Sequence, residues 1–360
     1  IKFFPPGSRA LYASSLFSGV LYALCFPKFD LGWLLGWFCF IPFFWTLSRV
    51  SRRRAAFGHA FFMGWTSHLI IFYWISITIH AGGGNWFVAI LAWLLMTAML
   101  SLFAGFFGVI AWSSFSRHSQ HPTIHILIKP FIIASIWVTT EFLRSAPFSI
   151  FGGFPWCLLG HSVSRMQPIV QLAELGGVPL LSFLLVFVQA GLWQSLRGLR
   201  GGVATKNWLP FLGAPLLALT AAFIFGAWRY AGVKKFLQPT LKVVILQGNI
   251  YQYDKWDGDK AGSIISVYRG LTEQANQEKP DLVVYPESFY PYILNFDASG
   301  NRYYERQFKS DLPLAWGISY LLGTVLARGD NLSNGALGVR NGKTMGYYAK
   351  THLVPFGEYL

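Results

Sequence analysis

The sequence predicts an α-helical membrane bundle followed by a separate α/β domain, on three observations. Of 360 residues, 54% are hydrophobic and only 12% are charged, whereas soluble domains usually contain about 25% charged residues. Long apolar stretches fill the chain up to residue 231, and strand and helix patterns alternate after it. Residues 1–231 contain 15 Lys and Arg against three acidic residues, and residues 232–360 contain 14 against 12. We therefore expect a bundle at 1–231 and an α/β domain at 232–360.

The apolar stretches of the first domain are long enough to predict about seven membrane spans. A spanning helix needs about 20 mostly apolar residues. These stretches are apolar on every face, which disfavours a soluble bundle, and Trp residues lie near their ends, as in an interfacial belt. The predicted spans are residues 10–26, 31–47, 57–79, 86–112, 124–142, 178–196 and 208–228.

Basic loop residues predict the orientation of these spans. The N-terminus and the second, fourth and sixth loops contain 11 Lys and Arg, against three in the remaining loops. The positive-inside rule then places the N-terminus in the cytoplasm and the α/β domain outside it. The arginines at 52–54 could instead bind anionic lipid headgroups or nucleic acid. We favour the interpretation that they mark a cytoplasmic loop. We therefore predict no nucleic-acid partner, despite a net charge of +14.

The second domain has the alternating pattern of a layered α/β fold. Its helix at 261–277 has Ile264, Tyr268, Leu271 and Ala275 on one face. The dipeptide at 341–342, Asn-Gly, favours a type I′ turn between two hairpin strands. The predicted elements are strands at 241–246, 282–285, 320–327, 336–340 and 344–349, and helices at 261–277 and 303–308.

Three residues of this domain are candidates for acid–base and electrostatic catalysis. Glu287 follows the strand 282–285, where open α/β sheets bind ligands, and partial desolvation there suits a general base. Lys350 ends the hairpin, where a fixed ammonium stabilises an oxyanion, and Glu358 follows a Phe-Gly turn from which it can orient that lysine. Taken singly, Glu287 is equally well a turn residue and Lys350 a solvated strand-end lysine.

The three cysteines are not arranged for metal or disulfide chemistry. Cys25, Cys39 and Cys157 all lie in the apolar half, and no two have CxxC spacing. We interpret them as small residues of the membrane core. His352 has no ligand partners nearby in the sequence, so neither a metal nor a cofactor is predicted.

Motifs in both halves of the chain resemble a known family. Tyr-Pro-Glu at 285–287 and Tyr-Ala-Lys-Thr-His-Leu-Val-Pro-Phe-Gly-Glu at 348–358 resemble the nitrilase, or carbon–nitrogen hydrolase, superfamily. Together with the helices, the chain resembles the bacterial apolipoprotein N-acyltransferases. Further motifs support this: Phe-Pro-Lys-Phe-Asp at 26–30, Thr-Glu-Phe-Leu-Arg at 140–144, Gly-Phe-Pro-Trp at 153–156 and Leu-Gln-Gly-Asn at 246–249.

The resemblance implies an αββα sandwich, of which 232–360 is the N-terminal part, and a Glu-Lys-Cys catalytic set. Glu287 matches the base, Lys350 the oxyanion-stabilising lysine and Glu358 a supporting acid. The nucleophilic cysteine is expected beyond residue 360. We reject Cys25, Cys39 and Cys157 as substitutes because they lie in or beside predicted spans. Since the first residue is Ile and no polar tail follows, we expect a fragment of a longer chain. Without the nucleophile, we expect this fragment to be inactive alone.

The implied reaction transfers an acyl chain from a phospholipid, through a cysteine thioester, to the α-amine of a diacylglyceryl-cysteine. The implied location is the bacterial inner membrane, with a periplasmic catalytic domain. Candidate substrate-binding residues are Trp256, Trp156, Arg144 and Asn334. Each has an alternative role: packing for Trp256, interfacial anchoring for Trp156 and Arg144, and turn formation for Asn334.

Two other functions remain open at this stage. A membrane-tethered amidase of the nitrilase type would use the same Glu-Lys-Cys set to release ammonia from a small amide. A soluble amidase would need no helical bundle, which favours the transferase. The third hypothesis is a non-enzymatic scaffold or transporter whose extracytoplasmic domain binds a ligand. Transporters often contain ionisable residues inside their spans, and Glu141 is the main candidate here, although it lies at a predicted helix end beside Arg144.

Overall fold

The computed structural model describes residues 8–115, 125–146, 153–200, 205–236, 241–295, 311–328, 331–351 and 353. The chain divides into two compact units, Ile1–Phe236 and Leu237–Leu360. The last helix of the first unit ends at Phe236, so the predicted domain boundary at 231 falls inside that helix. Each unit has its own hydrophobic core.

The first unit is helical throughout its described residues. Its long α9 is interrupted at Gly176 and Gly177, which leave helical geometry, Gly177 with a φ of +65°. A short 3₁₀ turn, Leu159–Val163, precedes α8. The helices are α1 (Ser8–Leu24), α2 (Gly32–Leu35), α3 (Ile41–Arg49), α4 (Arg53–Ile71), α5 (Trp74–Ala81), α6 (Trp86–Phe115), α7 (His125–Ser145), α8 (Gln167–Val170), α9 (Ala173–Arg200) and α10 (Thr205–Phe236).

Fewer helices are long and apolar enough to cross a membrane than the sequence predicts. Within the described residues, Trp86–Phe115, Ala173–Leu199 and Phe211–Val233 qualify, and α4 with α5 makes a fourth if this pair, bent by 49°, counts as one span. The stretch at 31–47 is split into α2 and α3, and α1 has only 17 residues. The count of seven therefore stays a prediction.

Small residues allow α4 and α6 to pack closely. A Cβ atom on Gly108 would overlap the side chain of Ala60, and one on Gly64 would lie 2.6 Å from the Cβ of Ala104. Small residues four apart are the usual means by which membrane helices bring their backbones together. Larger side chains at these positions would force the two helices apart.

The second unit contains a mixed six-stranded sheet. β1, β2 and β4 are parallel, and β5 and β6 continue the sheet antiparallel in the order β1-β2-β4-β5-β6, with β3 pairing with β4. Asn341 and Gly342 have φ of +51° and +70°, as a type I′ turn requires. The strands are β1 (Val243–Ile245), β2 (Leu282–Val284), β3 (Leu294–Asn295), β4 (Ser319–Arg328), β5 (Asn331–Arg340) and β6 (Lys343–Ala349).

The two faces of this sheet have different environments. Val283 and Tyr320, which are in register, are buried on the same face and belong to the core that includes Ile264 and Tyr268 of helix α11 (Ala261–Gln277). On the opposite face, Ile245 and Leu321 are exposed. The predicted helix 261–277 agrees with α11, whereas the one at 303–308 lies outside the described residues.

Candidate active site

Glu287 lies in a turn that leaves the carboxyl end of β2 and is held against β4. The backbone N–H of Tyr285 donates to the carbonyl of Leu321 at 2.8 Å, and that of Phe289 donates to Gly323 at 3.1 Å. A Cβ atom at Gly323 would clash with the carbonyl of Pro286. Glycine on β4 therefore allows the turn to approach, which fixes the backbone of Glu287.

Tyr285 and its neighbours anchor this turn in the core. The Tyr285 hydroxyl is 2.5 Å from that of Thr272 on α11, and its ring lies 4.4 Å from that of Phe289. Burial raises the pKa of Tyr285 above the usual value for a tyrosine. The neutral phenol is thus a packing and hydrogen-bonding group, and the charged chemistry of the turn falls to Glu287.

The β5–β6 hairpin brings Asn334 and Lys350 together. Gly335 pairs with Ala349 across the two strands, and the backbone N–H of Lys350 donates to the carbonyl of Asn334 at 2.8 Å. This register places the two side chains beside each other, although 15 residues separate them in sequence. The type I′ turn and a one-residue register shift between Gly338 and Val339 together determine that register.

Both side chains bind the carboxylate of Glu287. Lys350 Nζ lies 3.2 Å from Glu287 Oε1, and Asn334 Nδ2 donates to the same oxygen. The Glu287 side chain is 60% exposed and that of Lys350 is 30% exposed, so Glu287 is more solvated than the sequence led us to expect. The arrangement combines a carboxylate with an ammonium beside it, which suits proton transfer and stabilisation of an oxyanion.

A neighbouring segment contributes a second lysine. Lys255 Nζ donates to the backbone carbonyl of Glu287 at 3.3 Å. It belongs to a 3₁₀ turn, Gln252–Trp256, whose Asp254 pairs with Lys260 at 2.7 Å. The next residue, Trp256, is an exposed aromatic. Trp256 thus adjoins a residue that touches the turn, while a substrate contact for it stays a prediction.

The other predicted residues occupy different places. Glu358 lies outside the described residues. Trp156 is exposed in the helical unit, and Arg144 of α7 is only 5% exposed, with Nη1 donating to the Trp156 carbonyl at 2.8 Å. Buried in this way, Arg144 serves a structural bond, and this geometry does not favour the predicted contact with lipid phosphate.

Potential metal ligands are dispersed over the described part of the chain. Among those residues, no group of three or more His, Cys, Asp or Glu side chains is placed to hold a metal ion. Cys25 and Cys39 are buried, and Cys157 is partly buried.

Comparison with known proteins finds similarity to one family of enzymes. Residues 18–191 match a family model described as the apolipoprotein N-acyltransferase N-terminal domain. Apolipoprotein N-acyltransferases of Azotobacter vinelandii and Pseudomonas syringae pv. tomato are 34% and 32% identical to the chain, each over 96% of it. That of Geobacter metallireducens is 29% identical over 98%. The chain is therefore similar to the apolipoprotein N-acyltransferases, and residues 18–191 match their N-terminal domain. It spans 63–65% of the length of these relatives.

This similarity agrees with the resemblance of the motifs. Two contacts of the site were not predicted from the sequence. Lys255 bonds to the backbone of Glu287, and Gly323 makes room for its turn. A lysine in a polar loop and a glycine in a strand carry no motif of their own. The only available signal was that Lys255 directly precedes Trp256, which had been singled out.

Proposed function

We propose that the complete protein is an apolipoprotein N-acyltransferase. In this proposal it moves an acyl chain from a phospholipid to the α-amine of an N-terminal diacylglyceryl-cysteine. The observation that carries the proposal is the convergence of Glu287, Lys350 and Asn334 at the end of β2. Similarity to apolipoprotein N-acyltransferases supports the same reaction, and apolar helices fit a membrane protein whose substrates are lipids.

In the proposed mechanism Glu287 is the general base. It takes the proton of a cysteine thiol that we place beyond residue 360, and the thiolate attacks the acyl ester carbon. Lys350 stabilises the tetrahedral oxyanion, which collapses to a thioester as the proton passes to the departing lysophospholipid. Both bonds to Glu287 from described side chains are accepted by Oε1, so we assign the proton to Oε2. Glu358 is proposed to support this pair.

The second half of the reaction reverses these roles. The α-amine of the acceptor attacks the thioester carbon, forming an amide and expelling the thiolate. Glu287 takes the proton released from the amine, and that proton returns to the sulfur. Lys350 again holds the oxyanion. Asn334, by bonding Glu287, keeps the carboxylate oriented toward the reacting atoms, and Trp256 and Trp156 are proposed to contact substrate.

The wider architecture also belongs to this proposal. We infer a nitrilase-like αββα sandwich, and the exposed apolar residues Ile245 and Leu321 supply a face suited to a second layer. We further infer seven spans, a cytoplasmic N-terminus and a periplasmic catalytic domain in the bacterial inner membrane. The excess of Lys and Arg in alternate loops supports this orientation.

The test is formation of an acyl-enzyme by the full-length protein. Incubation with a phospholipid labelled in its acyl chain should leave a hydroxylamine-sensitive label on the protein. Glu287→Gln should lower the labelling rate by roughly 10²–10⁴-fold because the base is lost. Glu273→Gln is the matched control, since Glu273 is an exposed residue of α11.

The outcomes separate the candidate functions. If Glu287→Gln labels as fast as wild type, the base assignment is wrong. If wild type releases ammonia from small amides and acquires no acyl label from phospholipid, the amidase is the better description. A protein that does neither under conditions that preserve its fold would favour the non-enzymatic alternative.

A further inference from the structure

A short segment of the helical unit is held by buried polar groups that the proposed mechanism does not use. The segment runs from Phe154 to Leu159. Arg144 Nη1 donates to the carbonyl of Trp156 at 2.8 Å, and the backbone N–H of Phe154 donates to the carbonyl of Arg144 at 2.8 Å. The backbone N–H of Leu159 donates to Glu141 Oε1 at 2.7 Å.

A third buried side chain binds the middle of the segment. The Tyr22 hydroxyl donates to the carbonyl of Cys157 at 2.8 Å. Cys157 has a φ of +55°, a left-handed conformation that costs energy for any residue with a side chain. Tyr22 on α1 and the charged pair on α7 therefore hold this strained residue on both sides.

The side chains that bind residues 154–159 are deeply buried. Tyr22, Glu141 and Arg144 are all about 95% buried, and charged groups are rarely placed there unless their bonds are needed. In the described residues, no hydrogen-bond partner satisfies Glu141 Oε2 or Trp137 Nε1. Both residues line a cavity of about 30 Å³, the size of roughly one water molecule.

The segment presents an aromatic surface. Trp156 is 51% exposed, and its ring stacks on Trp74 at 5.5 Å and on Phe154 at 6.1 Å. Phe154 in turn packs edge-on against Phe72 at 5.2 Å. The backbone bonds described above determine where this stack lies, because Trp156 and Phe154 are both inside the held segment.

We propose that Glu141, Arg144 and Tyr22 form a buried clamp that fixes the position of Trp156 for binding of the phospholipid acyl donor. They are positioning residues, since they act through the backbone of 154–159. The phospholipid part of this inference rests on the proposed function, whereas the clamp itself rests on the contacts alone. Arg144 thus acts at a distance from the lipid that the sequence predicted it to touch.

Cys157 reports on the clamp directly. In the full-length protein in detergent, maleimide labelling of Cys157 is followed by peptide mass spectrometry, with the buried thiols of Cys25 and Cys39 as internal controls. Glu141→Leu and Arg144→Met each remove a bond to the segment and should speed Cys157 labelling about fivefold or more. Cys25 and Cys39 should stay protected, because the bundle around them is unchanged.

The same variants are then assayed for acyl transfer. We expect KM for phospholipid to rise about tenfold with kcat nearly unchanged, since Trp156 is displaced while the reacting groups are not. Glu141→Gln keeps an oxygen that accepts from the Leu159 N–H, so its Cys157 labelling rate and its KM for phospholipid should match those of wild type. Arg165→Met removes an arginine whose side chain is 69% exposed and should change neither.

Several results would overturn the proposal. One is unaltered Cys157 labelling in both Glu141→Leu and Arg144→Met. Another is Glu141→Gln exposing Cys157 as much as Glu141→Leu does. Faster labelling with an unchanged KM would overturn the role in lipid binding. If wild type transfers no acyl chain at all, the proposed function fails while the labelling still decides whether the clamp exists.

Discussion

Each unit of the molecule contains a glutamate with a nearby cation, and the two pairs are built for different purposes. Glu141 in the helical unit is 5% exposed and bonds a backbone N–H, as Arg144 one turn later bonds a backbone carbonyl. Glu287 in the sheet unit is 60% exposed and bonds the side chains of Lys350 and Asn334. The first pair holds a segment of chain, whereas the second leaves its charged groups accessible to solvent, as the proposed reaction requires.

The comparison shows that the role of a glutamate and its nearby cation depends more on their burial and on their hydrogen-bond partners than on residue type. A charge removed from water must recover its hydration through fixed bonds, so losing a partner costs stability. An exposed charge keeps its water, so losing a partner costs little stability. We therefore expect changes at Lys350 to slow the chemical step with little loss of stability. Changes at Arg144 should lower stability as well as weaken phospholipid binding.

The largest expected effect is that of Lys350→Met on acyl-enzyme formation. Methionine keeps the length of the side chain but removes the ammonium that we assign to the oxyanion. The labelling rate of the full-length protein should fall by roughly 10²–10³-fold, while the melting temperature changes little. Lys343→Met, on the exposed start of β6, is the control. An equal fall in the labelling rate of Lys343→Met would contradict the assignment of Lys350 to the oxyanion.

A smaller effect, on stability, is expected for Arg144→Met. The bond from a charged donor to the Trp156 carbonyl is lost, which should lower the free energy of unfolding by about 2 kcal/mol. For a unit of this size that corresponds to a melting temperature lower by roughly 5 °C, measured by thermal denaturation in detergent. A melting temperature equal to that of Lys350→Met would abolish the distinction between the two pairs.

The sequence predicted the local elements of the sheet unit well. The pattern at 261–277 predicts α11, and Asn341-Gly342 predicts the hairpin turn, because both depend on short-range preferences. The hairpin then brings Lys350 beside Asn334, so two residues singled out on separate grounds meet Glu287. The family resemblance groups Lys350 with Glu287, whereas the bond from Asn334 to Glu287 is seen only in the fold.

Features that depend on tertiary packing were not predictable in this way. The bend between α4 and α5 and the break between α2 and α3 have no strong signal in runs of apolar residues, because hydropathy measures composition and not helix continuity. The burial of Arg144 was also missed. An arginine near a span end is equally compatible with an interfacial anchor, and only the fold reveals that its guanidinium reaches the backbone of Trp156.

The smallest expected effect is that of Arg165→Met, and it tests the comparison most directly. Arg144 and Arg165 flank the same stretch of chain, but Arg165 pairs with Asp30 while its side chain is 69% exposed. An exposed pair of this kind contributes about 0.5 kcal/mol or less and is screened by salt. We expect its melting temperature to lie within about 1 °C of wild type in both low and high salt. A loss matching that of Arg144→Met would mean that proximity to the segment, and not burial, determines the contribution of an arginine there.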